Sequence, residues 1–216
     1  MTARDKILAR IRTAQTMTST TSTQTASDHL DLHPRGPQPP TPGNLRDHFI
    51  ERALKLSSDV MEADRLTDVP ALITYYLDER KLPMSGVCWP SLAGLPWHEF
   101  DLDIKSRPAQ NSDAVGVTGA FCAIAETGTL MMLSGPDTPA STSLLPETHI
   151  AVLDPSRIVA TMEDAWDLLR KEHKQPPRAV NFISGPSRTA DIEQTVTLGA
   201  HGPYRVLLIL ISAGTQ

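Results

Sequence analysis

The stretch GVTGAFCAIAETGTLMMLSG, residues 116–135, decides how the rest of the chain is interpreted. Apolar residues and glycines surround a single carboxylate, that of Glu126. A carboxylate in such surroundings is costly to bury unless hydrogen-bond donors enclose it. Thr127, Gly128 and Thr129 follow it and offer hydroxyls and a turn whose amides can converge on an anion. The stretch therefore predicts a buried functional carboxylate beside a glycine turn.

The same stretch predicts two buried strands. Residues 115–125 form the first, residues 129–133 form the second, and Gly128 makes the turn between them. Apolar periodicity predicts further elements on both sides of the stretch. These are strands at 84–89, 100–104, 150–153, 179–183 and 206–211, and three helices. The first helix runs from an N-cap at Asn44 to about residue 63, and the second from an N-cap at Asp68 to about residue 77. The third covers 162–172, and its inward face is predicted to carry Met162, Ala165, Trp166 and Leu169. This alternation predicts an α/β domain with a mainly parallel sheet flanked by helices.

The N-terminal part of the chain differs in composition from the rest. Residues 2–14 carry apolar side chains on one face of a short helix, and such a helix needs a docking surface because it is marginal alone. Residues 15–43 are rich in Thr, Ser and Pro, which predicts a flexible linker. The folded domain is expected over residues 44–216.

Composition excludes several classes of function. The 216-residue chain has 20 Lys and Arg against 25 Asp and Glu, a net charge of −5, so nucleic acid is not expected as its partner. Its apolar runs are too short for a membrane span. The N-terminus has no apolar signal core, which predicts a cytoplasmic protein. No metal site is indicated.

Cysteine count bears on iron–sulfur chemistry. The chain has two cysteines, Cys88 and Cys122, both in apolar runs where buried, reduced thiols are expected. An ordinary iron–sulfur cluster needs four thiolates. We therefore expect no cluster on this chain, and any cluster involved must sit on another polypeptide.

Three loops follow strand-like runs, at residues 126–129, 184–193 and 199–203. In a wound sheet such loops can meet at one edge and form a ligand site. Together they would offer a small anion the groups of Glu126, Thr127, Gly128, Thr129, Ser184, Gly185, Ser187, Arg188, Thr189, Asp191, Glu193, His201 and Gly202. The fork of Arg188 suits a carboxylate or phosphate. The alternative is that Arg188 pairs with Asp191 or Glu193 and only fixes the loop.

Glu126 and His201 are the candidates for catalysis. Ser187 with His201 could act as nucleophile and base, but no nucleophile elbow surrounds Ser187. His201 could equally cap backbone groups. The loops match neither a P-loop nor a dinucleotide-binding fingerprint.

Four motifs carry a family resemblance: AETGTL at 125–130, LPETH at 145–149, SGPSRTADIE at 184–193 and GAHGP at 199–203. Together they resemble the LUD-domain family. The resemblance implies a fold similar to the NagB/RpiA/CoA-transferase class. It also implies a part in oxidising L-lactate to pyruvate alongside iron–sulfur partner proteins. The candidate site residues rest on the loop argument and are not carried over from the family.

Two other functions remain open. The chain could be a free-standing CoA-transferase-like enzyme in which Glu126 accepts the acyl group. It could also be a non-catalytic assembly protein whose polar pocket is vestigial.

Overall fold

The computed structural model describes residues 2–18, 32, 35–38, 40, 43–189 and 197–212. They belong to two compact units, Met1–Pro40 and Thr41–Gln216. The first unit contains helix α1 (Ala3–Thr18), whose apolar side chains Ile7, Leu8 and Ile11 are exposed. The helix runs past the expected limit at residue 14, so residues 15–18 are helical and not linker. A docking role for α1 stays a prediction.

The second unit is built on a six-stranded sheet in which every strand pair is parallel. Its spatial order is β1 (Asp59–Ala63), β12 (Arg205–Ile211), β7 (Thr148–Leu153), β4 (Val115–Thr118), β2 (Ser85–Cys88) and β3 (Asp103–Ser106). The predicted α/β class with a mainly parallel sheet is confirmed.

A second, four-stranded sheet lies beside the first and was not foreseen. It orders β8 (Ile158–Val159), β5 (Cys122–Ile124), β6 (Thr129–Leu133) and β9 (Val180–Ile183). The prediction of one strand over 115–125 is therefore wrong, because β4 and β5 pair in different sheets. Both strands are buried on both faces, so their apolar sequence does not show where one ends and the other begins.

The described part of this unit also contains four α-helices: α2 (Leu45–Lys55), α3 (Val69–Glu79), α4 (Ser141–Leu144) and α5 (Met162–Glu172). The predicted N-cap is confirmed, since the Asn44 side chain accepts a hydrogen bond of 3.2 Å from the Asp47 amide.

The predicted extension of α2 to residue 63 is wrong. The helix stops in a Schellman motif, with Ser57 at a left-handed φ of 67° and the Ser58 amide bonded to the Ala53 carbonyl at 3.0 Å. Residues beyond it form β1, which pairs with β12. Glycine usually occupies this left-handed position, so Ser57 gave no sequence signal that the helix ends there.

Two smaller predictions also change. Asp68 precedes α3 but its side chain does not cap that helix; its carboxylate accepts from the Arg65 amide at 3.0 Å. The strand expected over 100–104 begins later, because Trp97–Phe100 forms a 3-10 turn and β3 starts at Asp103. No helix among the described residues is long and apolar enough to cross a bilayer.

Three apolar clusters hold the layers together. One face of the parallel sheet packs against α3 through residues such as Ile73 and Leu77. The other face packs against α2 and the second sheet, and α5 covers the far side of that sheet through Ala165 and Leu169. The predicted inward face of α5 is thus confirmed. Each fully buried Leu or Ile side chain stabilises the fold by about 1.5–3 kcal/mol.

Candidate functional site

The turn predicted to carry Glu126 joins β5 to β6 and packs on α2. Gly128 has a φ of +66°, and a Cβ there would lie 2.6 Å from the Ala53 backbone nitrogen. Glu126 is half-buried and Thr127 is exposed. Among the described residues the Glu126 carboxylate has no hydrogen-bond donor, so the enclosing donors expected from the sequence are absent there. Its catalytic role stays a prediction.

The loop that begins at Ser184 contacts this turn. The hydroxyls of Thr129 and Ser184 are hydrogen-bonded at 2.7 Å. Gly185 has a φ of +79°, and a Cβ there would lie 2.3 Å from the Leu56 carbonyl oxygen. Both glycine turns therefore allow the backbone to approach the end of α2, which gives these motif glycines a packing role.

Arg188 lies in β10 (Arg188–Thr189), a short strand paired with β11 (Thr197–Leu198). Its guanidinium donates to the Ser57 hydroxyl at 2.5 Å and to the Leu56 carbonyl at 3.5 Å. Arg188 thus fixes its loop against the end of α2. The alternative partners Asp191 and Glu193, and the predicted ligand contact of Asp191, lie outside the described residues.

The loop at 199–203 contacts the Ser184 loop through its backbone. The Ser187 amide donates to the Pro203 carbonyl at 2.8 Å, and the Gly199 amide donates to the Ser187 carbonyl at 2.9 Å. Gly202 packs against the Ser187 side chain, whereas His201 is exposed. No hydrogen bond joins the Ser187 and His201 side chains in the described part of the chain.

The expectation that all three loops follow strands of one sheet is wrong. The Glu126 turn and Ser184 follow strands of the second sheet, and the loop at 199–203 precedes β12 of the parallel sheet. The structure brings Thr129 to Ser184 and Ser187 to the 199–203 loop. A pocket shared by Glu126, Arg188 and His201 stays a prediction.

The order of the parallel strands points to a different location. From β2 the chain moves outward to β3, whereas from β4 it crosses to β7 on the opposite side. Because β2 and β4 are neighbours, the winding direction reverses between them. Open α/β sheets bind ligands at such a switch point, outside the carboxyl ends of the strands.

A cavity of about 420 Å³ lies at this switch point. Trp89 follows β2 directly, and Ala120 and Phe121 come shortly after the end of β4. We call it the switch-point cavity; its lining is Trp89, Ala120, Phe121, Leu133, Ser134, Gly135, Thr138, His173, Gln175 and Pro177. An apolar wall with a few polar groups is typical of sites for small organic ligands.

Hydrogen bonds and ring contacts hold the aromatic wall of this cavity. Trp89 is only 5% exposed, and its indole nitrogen donates to the Pro139 carbonyl at 3.4 Å. Phe121 meets the His173 ring edge-on at 5.7 Å, and the Arg157 guanidinium lies 4.8 Å over the Phe121 ring. Arg157 is held in turn by Glu172, whose pKa it lowers through this hydrogen bond. The wall is therefore preorganised.

A buried histidine lies between the two sheets. His149 Nε2 is 2.8 Å from the Thr118 hydroxyl at the carboxyl end of β4, and His149 Nδ1 has no hydrogen-bond partner among the described residues. Burial lowers the pKa of His149 to about 4. The imidazole is therefore neutral near pH 7. Its partner Thr118 links it to the strand that leads into the switch-point cavity.

The cysteines belong to separate apolar clusters. Cys88 packs in the cluster under α3, and Cys122 packs in the cluster under α5. Burial raises the pKa of each thiol to about 11. Within the described ranges, no group of three or more His, Cys, Asp or Glu side chains is placed to hold a metal ion.

Sequence reasoning missed Trp89 and Phe121 as site residues. The sequence prediction placed both inside strands, over 84–89 and 115–125, whereas the structure ends those strands at Cys88 and Thr118. An aromatic residue after a strand indicates a site only once the neighbouring strand is known. That neighbour, β4, lies in a later part of the chain.

Comparisons with known proteins agree with this fold. A sequence model described as the LUD domain matches residues 94–211. Lactate utilization protein C of Bacillus subtilis (strain 168) is 38% identical over an alignment of 129 residues that covers 57% of this chain and 53% of that protein. The chain thus spans about half the length of this relative. Lactate utilization protein C of an Exiguobacterium species is 41% identical over 178 residues, 77% of each chain.

One solved structure is also similar. A DUF162 family protein from Deinococcus radiodurans has a TM-score of 0.59 and 21% sequence identity, covering 81% of this chain and 100% of that one. At that identity the likeness shows the fold.

Proposed function

The chain belongs to the LUD domain family, and we propose that it contributes to lactate utilization by binding a small organic ligand in the switch-point cavity. The first part of this proposal is supported by the names of its relatives, lactate utilization protein C. The observation that carries the second part is the position of the cavity at the carboxyl ends of β2 and β4. Because the chain leaves these two neighbouring strands in opposite directions, a crevice forms between the loops that follow them, whatever the loop sequences are.

The lining favours a ligand with a flat or apolar body and a polar edge. Trp89 and Phe121 offer ring surface, to which a flat ligand can stack. Thr138 and Gln175 can orient its polar edge through hydrogen bonds. The Ser134 hydroxyl accepts from the Ala179 amide at 2.8 Å and keeps its O–H as a donor. A small cofactor or substrate of this kind would be partly shielded from water.

We further propose that the chain acts with iron–sulfur proteins. Oxidation of lactate to pyruvate releases an electron pair and protons, so it needs an acceptor. The chain has two cysteines, which are buried in separate clusters with thiol pKa values raised to about 11, whereas an ordinary cluster takes four thiolates. This supports the proposal that the acceptor is an iron–sulfur cluster on another polypeptide.

The predicted anion site of Glu126, Arg188 and His201 remains a separate proposal. Arg188 donates to Ser57, so an anion would have to replace that contact. No observation favours the CoA-transferase alternative, since Glu126 does not line the switch-point cavity.

A cavity-filling substitution tests the proposed function. Ala120→Phe places a ring inside the cavity, and Ala93→Phe makes the same change at an exposed position just after the 3-10 helix Pro90–Leu92. In a deletion strain of the source organism, we expect Ala93→Phe to restore growth on L-lactate and Ala120→Phe to fail. Circular dichroism of both purified variants checks that they fold. Growth with a folded Ala120→Phe protein would refute a role for the cavity.

A further inference from the structure

A second cavity lies at the amino ends of the parallel strands, opposite the switch-point cavity at their carboxyl ends. Strands β7 and β12 start together there, with Thr148 opposite Arg205 and the Arg205 amide bonded to the Glu147 carbonyl at 2.9 Å. A cavity of about 360 Å³ opens beside them. We call it the Arg205 pocket; it is lined by Leu145, Glu147, Leu198, Gly199, Gly202, Tyr204 and Arg205.

The Arg205 guanidinium lacks a hydrogen-bond partner in the described part of the chain. The Arg205 side chain is 29% exposed, and its nearest carboxylate oxygen is Glu147 Oε2 at 4.0 Å from Nη1. That Nη1 atom is buried and has no hydrogen-bond partner among the described residues, and Glu147 reaches it only as a long ion pair. Leaving a buried charged donor without a hydrogen bond is unfavourable, so such a group calls for an explanation.

Arg157 provides a comparison within the same molecule. Its side chain is also 29% exposed, yet its fork donates to Glu172 at 2.6 and 3.0 Å and to the Phe121 carbonyl at 2.8 Å. Arg157 is thus satisfied by the protein itself. Arg205, at equal exposure, retains its capacity to bind an oxyanion.

The pocket positions Arg205 through its neighbours. The guanidinium carbon lies 4.7 Å over the Tyr204 ring. Tyr204 is seated against Gly199, where a Cβ would lie 3.2 Å from Tyr204 Cβ and Cδ2, and where φ is +73°. The glycine turn therefore allows the tyrosine to approach, and the tyrosine supports the arginine.

We propose that Arg205 binds the carboxylate of a small monocarboxylic acid in this pocket. The arginine fork matches the two oxygens of a carboxylate. Leu145, Leu198 and the Tyr204 ring give apolar surface for a short carbon chain. Glu147 lies close by and disfavours a doubly charged anion such as phosphate. A singly charged acid fits both the cation and the neighbouring carboxylate.

Glu147 supplies a test that does not depend on removing the arginine. Its side chain is 79% exposed, so Glu147→Gln leaves the packing intact while removing the competing charge. Binding of a carboxylate at Arg205 should then become tighter. This change distinguishes a real anion site from an arginine that merely packs.

Isothermal titration with acetate, L-lactate, pyruvate and inorganic phosphate measures the affinities. We expect the monocarboxylates to bind more tightly than phosphate, Arg205→Gln to weaken them by roughly tenfold or more, and Glu147→Gln to tighten them by about threefold. Arg46→Gln is the matched control, because its side chain is 34% exposed and pairs with Glu62 near the carboxyl end of β1. The affinities for the four ligands should be the same in Arg46→Gln as in the unaltered protein.

Several outcomes would overturn the proposal. They are unchanged affinity in a folded Arg205→Gln protein, no gain in Glu147→Gln, or phosphate binding more tightly than the acids. Loss of carboxylate binding in Ala120→Phe would assign it to the switch-point cavity instead. Since the two cavities lie at opposite edges of the sheet, one proposal can fail while the other stands.

Discussion

The carboxyl and amino ends of the strands in the parallel sheet differ in chemistry although they belong to one sheet. At the carboxyl edge, β2 and β4 end in Trp89 and in the approach to Phe121, and the cavity between them is mostly apolar. At the amino edge, β7 and β12 start from Glu147 and Arg205, and the pocket there is charged. The position of each cavity follows from strand order, whereas its polarity follows from a few loop residues.

The largest change in the free energy of unfolding is expected in β4, which is packed tightly at its amino end and loosely just beyond its carboxyl end. A Cβ on Gly116 would lie 2.0 Å from the Thr142 carbonyl oxygen, whereas one on Gly119 finds its nearest neighbour, a Trp89 ring carbon, at 3.8 Å. Gly116→Ala should therefore reduce the free energy of unfolding by about 3 kcal/mol or more. Gly119→Ala should change it by less than about 0.5 kcal/mol.

Urea denaturation of both variants measures this difference. Similar losses in the two proteins would show that the carboxyl end of β4 is as tightly packed as the amino end. The openness of the switch-point cavity beside Gly119 would then be in doubt.

The next effect concerns His149, which connects β7 to Thr118 near the carboxyl edge. Its pKa is lowered to about 4 in the folded protein from an ordinary value of 6.5, so the unfolded chain takes up a proton first as pH falls. Stability contributed by the neutral form is full above pH 6.5 and is lost between pH 6.5 and about 4. The loss should reach about 3 kcal/mol.

Urea midpoints at pH 7, 6, 5 and 4.5 check this dependence. His149→Gln keeps a polar side chain and removes the titration, so its pH profile should be flatter over that range. Parallel profiles for the two proteins would contradict the assignment to His149.

The smallest effects separate the two half-buried arginines. Arg157→Gln removes hydrogen bonds to Glu172 and to the Phe121 carbonyl at the wall of the carboxyl-edge cavity. We expect it to lower the free energy of unfolding by about 1–2 kcal/mol. Arg205→Gln removes no hydrogen bond within the described chain and should cost less than about 0.5 kcal/mol.

Thermal melts in phosphate-free buffer without carboxylates compare the two arginine variants. A loss for Arg205→Gln equal to that for Arg157→Gln would mean that Arg205 serves the fold. Its availability for a ligand would then no longer follow from the contrast with Arg157.

Local patterns predicted the elements whose signals lie within a few residues. The Asn44 cap, the inward face of α5 and the strand over β12 were all visible in the sequence. The prediction failed where one apolar pattern serves two structures. Val60 continues the spacing of α2 but belongs to β1, because β1 pairs with a strand near the other end of the chain.

The candidate site shows the same limit. Gly128 was predicted to make a turn and Gly185 to bind a ligand, and the structure relates both to close packing on α2. The aromatic wall of the switch-point cavity was not foreseen, since Trp89 and Phe121 become neighbours only when β4 inserts beside β2.

The sequence by itself determined the α/β class, the family and many of the segments that become strands and helices, because these depend on periodicity and short motifs. The tertiary structure alone decided the order of the strands, the split of residues 115–125 between two sheets and the location of both cavities. The physical reason is that strand pairing joins backbone groups far apart in the chain. The pattern of side chains along the chain specifies which faces of a strand or helix are apolar. Only the assembled sheet specifies which strand ends become neighbours.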